Sequence, residues 1–503
     1  MATLHSGYAD KPESLLESAA SQHSQSIEPS NLDHFPEKTT EKFQEKPADS
    51  SVAAPAPATT ESAGTTAASN PPHSSNIQPN GVNPHQHEVD SADTDSSLPP
   101  VDTGKDAWLF LLAAFILNVL VWSFPFAYGI FQEYYSSHPP FKGQRNIAIV
   151  GTCALGFMYL SSPFVFSLLV WRPTWKRPCI LVGLVIMCLS IALSSLSTTV
   201  PHLIASQGVF SAVGGALCYS PAISFVDEWF VKRKGLAFGM MWAGTGLGGV
   251  VIPLLLQAIL NKYGFRTTLR IWAVVLFVAT VPLYVFLKPR VPISRNPSRR
   301  SFDLSFLKTR IFLLHQFGNI LQGFGYFLPA LYLPTYAKSL GASNSVSALT
   351  LTLNNIAAGL GCVLMGWSVD RWHVTTCVSI TTIGSTLAVF LLWGFSTHLS
   401  LLLIFCFMYG LFAGCYTTTY SGVMKALSRS HEATDATLVF SVLVAGRGIG
   451  NVLSGPVSQA LIGAGQVGHV GVYASEYGPL VIFTGVSAVL GGFGCIGRAL
   501  RWF

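Results

Sequence analysis

The stretches LAFGMMWAGTGLGGVVIPLLLQAIL (236–260) and LVFSVLVAGRGIGNVLSGPVSQALI (438–462) align without a gap at an offset of 202 residues. Nine of the twenty-five positions are identical, among them Gly244/Gly446, Gly246/Gly448 and Gly248/Gly450. Both stretches are long apolar helices with glycine at alternate positions. The chain therefore reads as two related membrane halves, and repeats of that size are common among transporters. Gly244, Gly248, Gly446 and Gly450 are read as helix-packing positions, since glycine lets two backbones approach closely. The copies differ where Thr245 corresponds to Arg447.

The rest of the chain agrees with a polytopic membrane protein. Of its 503 residues 50% are hydrophobic and only 11% charged, and the mean hydropathy is +0.45, too apolar for a soluble multidomain chain. The net charge of +6 hides a split: residues 1–104 hold fifteen acidic and four basic side chains, the remainder nine acidic and twenty-six basic. That basic excess belongs to loops flanking the membrane, so no nucleic-acid partner is expected. The nine cysteines all lie in apolar stretches without CxxC spacing, which predicts neither disulfide nor metal site. No signal peptide is recognisable before Trp108, so the first span is expected to direct membrane insertion.

Residues 1–104, rich in Ser, Thr, Pro, Ala and acids, are expected to form a disordered cytoplasmic tail, because they cannot bury enough apolar area to offset ordering entropy. Twelve spans are predicted, at 107–131, 146–170, 178–198, 202–226, 235–260, 268–287, 311–336, 345–367, 375–395, 399–424, 436–462 and 478–499. They divide into six-helix halves over 105–287 and 311–503, joined by a cytoplasmic loop over 288–310. With both termini in the cytoplasm, nineteen basic residues of the membrane region lie inside, six outside and one, Arg447, within a span.

Neither GxxxxGK[ST], HExxH nor GxSxG occurs, so no site for an ATP-driven pump or a membrane enzyme is visible and no cofactor is expected. Arg447 carries the chemistry. It lies about 18 Å from either end of its span at 1.5 Å per residue, where an unpaired cation costs several kcal/mol. No Asp or Glu is near the middle of any span. Two readings stay open: a forked donor for an anionic substrate, or an arginine held by backbone carbonyls to lock a closed state. His315, Asn319, Gln322 and Tyr326 share one stripe of the seventh span, Tyr409, Tyr416 and Tyr420 one of the tenth, and Asn118 stacks with Trp122 in the first. Such stripes fit either a polar cavity or interhelical hydrogen bonds. Arg447, Asn118, Asn319, Gln322, Tyr326, Asn354 and Tyr416 are the candidate substrate contacts.

Twelve spans in two halves, with Gly366-Trp-Ser-Val-Asp370-Arg371 between the eighth and ninth, resemble the major facilitator superfamily. The resemblance implies that Asp370 and Arg371 tie neighbouring helices on the cytoplasmic side. With the basic turn Lys232-Arg233 they are the candidate gating residues. The stretch from Trp229-Phe230-Val231-Lys232-Arg233 to Leu236-Ala237-Phe238-Gly239 is similar to a signature of the monocarboxylate-porter branch, and Phe124-Pro125-Phe126 through Tyr135 to the fungal form of its first helix. The chain departs from animal members in three places. The opening motif is reduced to Asp106-Ala107-Trp108, the lysine after the helix-one proline is Phe126, and Asn354-Asn355 occupy the region of an acid and arginine pair.

These residues lead to the expectation of a secondary active transporter of a small organic anion or carboxylated metabolite. It would work by alternating access in the plasma membrane or, alternatively, a vacuolar or other internal membrane. Its partners would be the substrate, the bilayer and a possible co-transported proton. Efflux of a secondary metabolite is the alternative, and a non-transporting receptor or scaffold that of another class.

Overall fold

The computed structural model describes residues 98–144, 146–292, 303–430 and 435–499, and every regular element among them is helical. Four runs come first: α1 (Lys105–Ser137), α2 (Ile147–Trp171), α3 (Pro173–Ser194) and α4 (Val200–Trp229). Next is a continuous run, Lys234–Phe286, of 53 residues, about 80 Å at 1.5 Å per residue and far longer than a bilayer core. It bends back at Gly264, whose φ of 74° and ψ of 171° suit only glycine, and so divides into α5 (234–263) and α6 (265–286). The outer loop expected at 261–267 is thus reduced to one residue. After it come α7 (310–339) and then α8 (Asn344–Arg371), α9 (Val374–Trp393), α10 (Leu399–Arg429), α11 (Ala436–Gly463) and α12 (Gly478–Cys495).

Ten of these runs are long and apolar enough to cross a membrane, the 53-residue run counting once. The helix pair of α7 falls short because His315, Gln316, Asn319 and Gln322 interrupt its apolar sequence. Phe164, Leu189, Val278 and Leu391 are each more than half exposed, the outward apolar belt that a bilayer requires. The expected tail lies outside the described residues as far as position 97. Its last part, 98–104, is docked: the Asp102 amide donates to the Trp229 carbonyl at 3.0 Å, and Arg290 Nε donates to the Pro99 carbonyl at 2.7 Å. Of the central loop, 293–302 lies outside the described residues. Lys288 is anchored through its carbonyl, which accepts from the Trp229 indole at 2.9 Å.

The repeated glycines divide into two sets because residues two apart on a helix point to opposite sides, whereas residues four apart share a side. A Cβ on Gly244 would stand 2.6 Å from the Phe115 carbonyl of α1, and one on Gly450 would stand 2.5 Å from the Gly323 backbone of α7. Gly248 is likewise closed off by Val119 of α1, and Gly446 by Gln316 of α7. These four positions pack helices within a half. The middle glycine of each set faces the other half. A Cβ on Gly246 would stand 2.7 Å from the Asn355 carbonyl of α8, and one on Gly448 would stand 2.6 Å from Tyr159 Cβ of α2. The halves therefore meet along α5–α8 and α2–α11, related by the same 202-residue offset.

Gly244→Ala and Gly246→Ala should separate these two roles. Overpacking costs about 1–3 kcal/mol. In Gly244→Ala it should lower the thermal unfolding midpoint of the purified protein. In Gly246→Ala it should instead wedge the halves, shifting their distance distribution in double electron–electron resonance between spin labels on α5 and α8. Equal effects of both substitutions on the midpoint and none on the distances would refute the division.

Candidate functional site

Arg447 stands about 16 Å along α11 from Ala436 at 1.5 Å per residue and is only 1% exposed. The glycines flanking it give neighbouring helices close access, and the guanidinium is received by α7. Its Nη1 donates to Gln322 Oε1 at 2.6 Å, and its carbon lies 4.1 Å from the centre of the Tyr326 ring, with Phe327 at 5.7 Å and Tyr416 at 6.0 Å. The cation is thus held by one amide oxygen, the nearby Tyr420 hydroxyl oxygen and the negative faces of aromatic rings. Among the described residues no carboxylate pairs with it. Nη2 is buried without a hydrogen-bond partner, a costly state for a charged donor.

Arg447 lines a cavity of about 50 Å³ between the halves, together with Phe126, Tyr159, Trp242, Thr245 and Tyr326. That is room for a few waters in this arrangement of the helices. Asn355 and Thr417 add polar atoms, the Asn355 amide donating to the Gly249 carbonyl at 3.1 Å. Thr245 and Arg447, the positions at which the repeat diverges, therefore face one space from opposite halves. The Trp242 indole nitrogen is buried without a partner, as are those of Trp122, Trp272 and Trp393.

The structure separates the candidate contacts expected from sequence. Arg447 and Tyr326 line the cavity, and Gln322 supports Arg447 from behind. Asn319 is a structural tie: it donates to the Leu443 carbonyl at 2.6 Å and accepts from the Tyr420 hydroxyl at 2.5 Å. Asn118 donates to Ala114 of its own helix at 2.9 Å, and the Tyr416 hydroxyl to the Gly491 carbonyl at 2.9 Å. Neither is among the cavity-lining side chains, nor is Asn354, whose neighbour Asn355 occupies that position. Tyr159, Trp242 and Thr417 escaped the sequence reading. Trp242 and Thr245 were nevertheless within reach, because Thr245 is the repeat partner of Arg447 and Trp242 lies one turn below it.

Below the cavity, toward the end where Arg172, Lys176 and Lys232–Lys234 gather, an aromatic layer closes the space. Phe440 of α11 lies 5.8 Å from Phe166, 5.7 Å from Phe238 and 6.1 Å from Tyr420 between ring centres. At the basic end itself the start of α5 meets the end of α8, where a Cβ on Gly235 would stand 2.5 Å from the Gly366 carbonyl. Asp370 accepts from the Gly235 and Leu236 amides at 2.7 and 2.9 Å, filling the donor-rich N-terminus of α5. Asp102 takes the preceding amides, those of Val231, Lys232 and Arg233, at 3.1, 2.9 and 2.9 Å.

The charged neighbours are arranged differently. Arg371 stacks on Trp367 of its own helix, 3.8 Å from the ring centre, rather than across to another helix. Lys232 and Arg233 expose their side chains and contribute backbone amides. Lys234 pairs with Asp227 at 2.7 Å, and Lys176 with Glu228 at 3.1 Å. Asp102 was not anticipated, because a carboxylate ahead of the first span carries no sequence signal for a partner about 130 residues away.

A family model described as Major Facilitator Superfamily matches residues 110–317 and 316–502. The chain is similar to an MFS transporter of Aspergillus flavus, at 26% identity over 78% of this chain and 86% of that protein. It is similar to the Fujikurins efflux protein of Gibberella fujikuroi, at 27% identity over 70% and 76%. A third relative is the Aspyridones efflux protein of Emericella nidulans, at 26% identity over 63% and 64%.

The two carboxylates at the start of α5 should be separable by amide hydrogen exchange. Asp102→Ala is expected to speed exchange at residues 231–233 by roughly tenfold to a hundredfold, since hydrogen bonds to a charged group contribute about 1.5–3 kcal/mol. Asp370→Ala should act on 235–236 instead. Unaltered protection at 231–233 in Asp102→Ala would show that the turn does not depend on this carboxylate.

Proposed function

The chain belongs to the Major Facilitator Superfamily, and on that footing we propose that it exports a small, acidic biosynthetic metabolite by alternating access. One observation carries the chemical part: the buried Arg447 guanidinium, on a residue that lines the cavity, spends Nη1 on Gln322 and has no carboxylate partner among the described residues. An anionic oxygen brought against it supplies much of the missing counter-charge. Two relatives are named as efflux proteins, which supports export over uptake. The departures at Phe126 and at Asn354-Asn355 weigh against the animal monocarboxylate mechanism.

In this reading the metabolite enters from the cytoplasm when the basic end opens and leaves on the opposite side. Asp370 on the α5 amides, the Gly235–Gly366 approach and the Phe440 layer are then the parts that must separate and re-form. Arg371, Lys232 and Arg233 act there as membrane-surface charges. The proposed location is the plasma membrane with both termini inside.

Arg447→Gln is expected to raise the half-saturation concentration for an acidic substrate about tenfold or more, at unchanged surface expression. A charge-assisted hydrogen bond contributes about 1.5–3 kcal/mol. Flux is to be measured in reconstituted vesicles, where an imposed pH gradient also tests proton coupling. Binding without flux would favour a receptor, and full flux in Arg447→Gln would remove the residue from the site.

A further inference from the structure

We infer that the acidic metabolite is a flat, conjugated molecule rather than an aliphatic acid. This deepens the proposed function and rests on its acid-binding reading. The warrant is what lines the cavity. Its large apolar side chains are all aromatic: Phe126, Tyr159 and Trp242 from one half and Tyr326 from the other. The remaining apolar contacts are small, namely Ala358, Cys362 and two glycines, and no Leu, Ile, Val or Met lines the space. A branched aliphatic body would find no branched side chains to interdigitate with, whereas a flat ring system finds ring faces and edges.

These walls are also rigid. Trp122, fully buried behind them, packs 4.9 Å from Tyr159 and 5.5 Å from Trp242 between ring centres, and 5.1 Å from Tyr219. Trp242 is further held by Phe440 at 6.5 Å, and Tyr159 by Phe327 at 6.4 Å. Rings so fixed cannot fold around a puckered ligand without disturbing the packing behind them.

The test uses three matched probes on the purified full-length protein in nanodiscs, with binding read by calorimetry. They are 2-naphthoate, its saturated counterpart decahydro-2-naphthoate, and the neutral 2-naphthamide. Naphthoate should bind about tenfold more tightly than the saturated acid, the order of magnitude expected from ring contacts. Trp242→Leu should abolish that ratio, and Trp242→Phe should largely keep it, which separates loss of a ring face from loss of fold. Arg447→Gln should abolish the preference for naphthoate over naphthamide and leave the planar preference intact. Equal affinity for the flat and saturated acids overturns the inference. If naphthoate and naphthamide bind equally while both exceed the saturated acid, the acid-binding reading fails and the planar preference stands. Absence of binding by all three at millimolar concentration overturns both.

Discussion

The structure is organised around one incompletely answered charge. Arg447 sits near the middle of α11, buried and without a carboxylate partner among the described residues, and is kept in place by an amide oxygen, a Tyr face and surrounding rings. Cation–π contact and one hydrogen bond stabilise the guanidinium without neutralising it. A salt bridge there would leave little reason for an anion to enter. The guanidinium therefore stays charged and buried beside the cavity, and in the proposed function an acidic substrate answers that charge.

That charge could not be presented without close helix packing. Gly446 and Gly450 let α7 approach α11, which brings Gln322 and Tyr326 within reach of the guanidinium. Gly448, between them, lets α2 approach from the other half and brings Tyr159 to the cavity wall. The corresponding glycines of α5 do the same with α1 and α8, and carry Trp242 and Thr245 to the opposite wall. The pseudo-symmetric scaffold thus holds an asymmetric site, because Thr245 and Arg447 occupy equivalent places with unlike chemistry.

The basic end is held by other kinds of interaction. Aromatic rings pack around Phe440, whereas Asp102 and Asp370 bind neighbouring backbone amides at the start of α5. Asp102 comes from the same half as those amides and holds the turn in shape. Asp370 comes from the other half and completes the contact between them. A turn already ordered by Asp102 presents its remaining amides to Asp370 at a smaller entropic cost. Residues 98–104, just before α1, are therefore packed with the helices they precede.

The sequence by itself determined the helical class, the two halves, the positions of most spans and the burial of Arg447 within one of them. These depend on hydropathy over a bilayer's thickness and on a repeat, both local or linear properties. Only the tertiary structure decided which polar residues reach the cavity. Asn354 and Asn355 are indistinguishable by composition, yet one helical step of about 100° sends the second to the cavity and the first away. Asn319 and Tyr416 share stripes with cavity residues but spend their polar groups on neighbouring helices. The join of α5 to α6 depended on Gly264 taking a backbone conformation that polarity alone does not disclose. The Asp102 contact with the α5 turn joins positions about 130 residues apart. Helical periodicity encodes which side of a helix a residue occupies, but which neighbour fills that side is fixed only when the whole bundle closes.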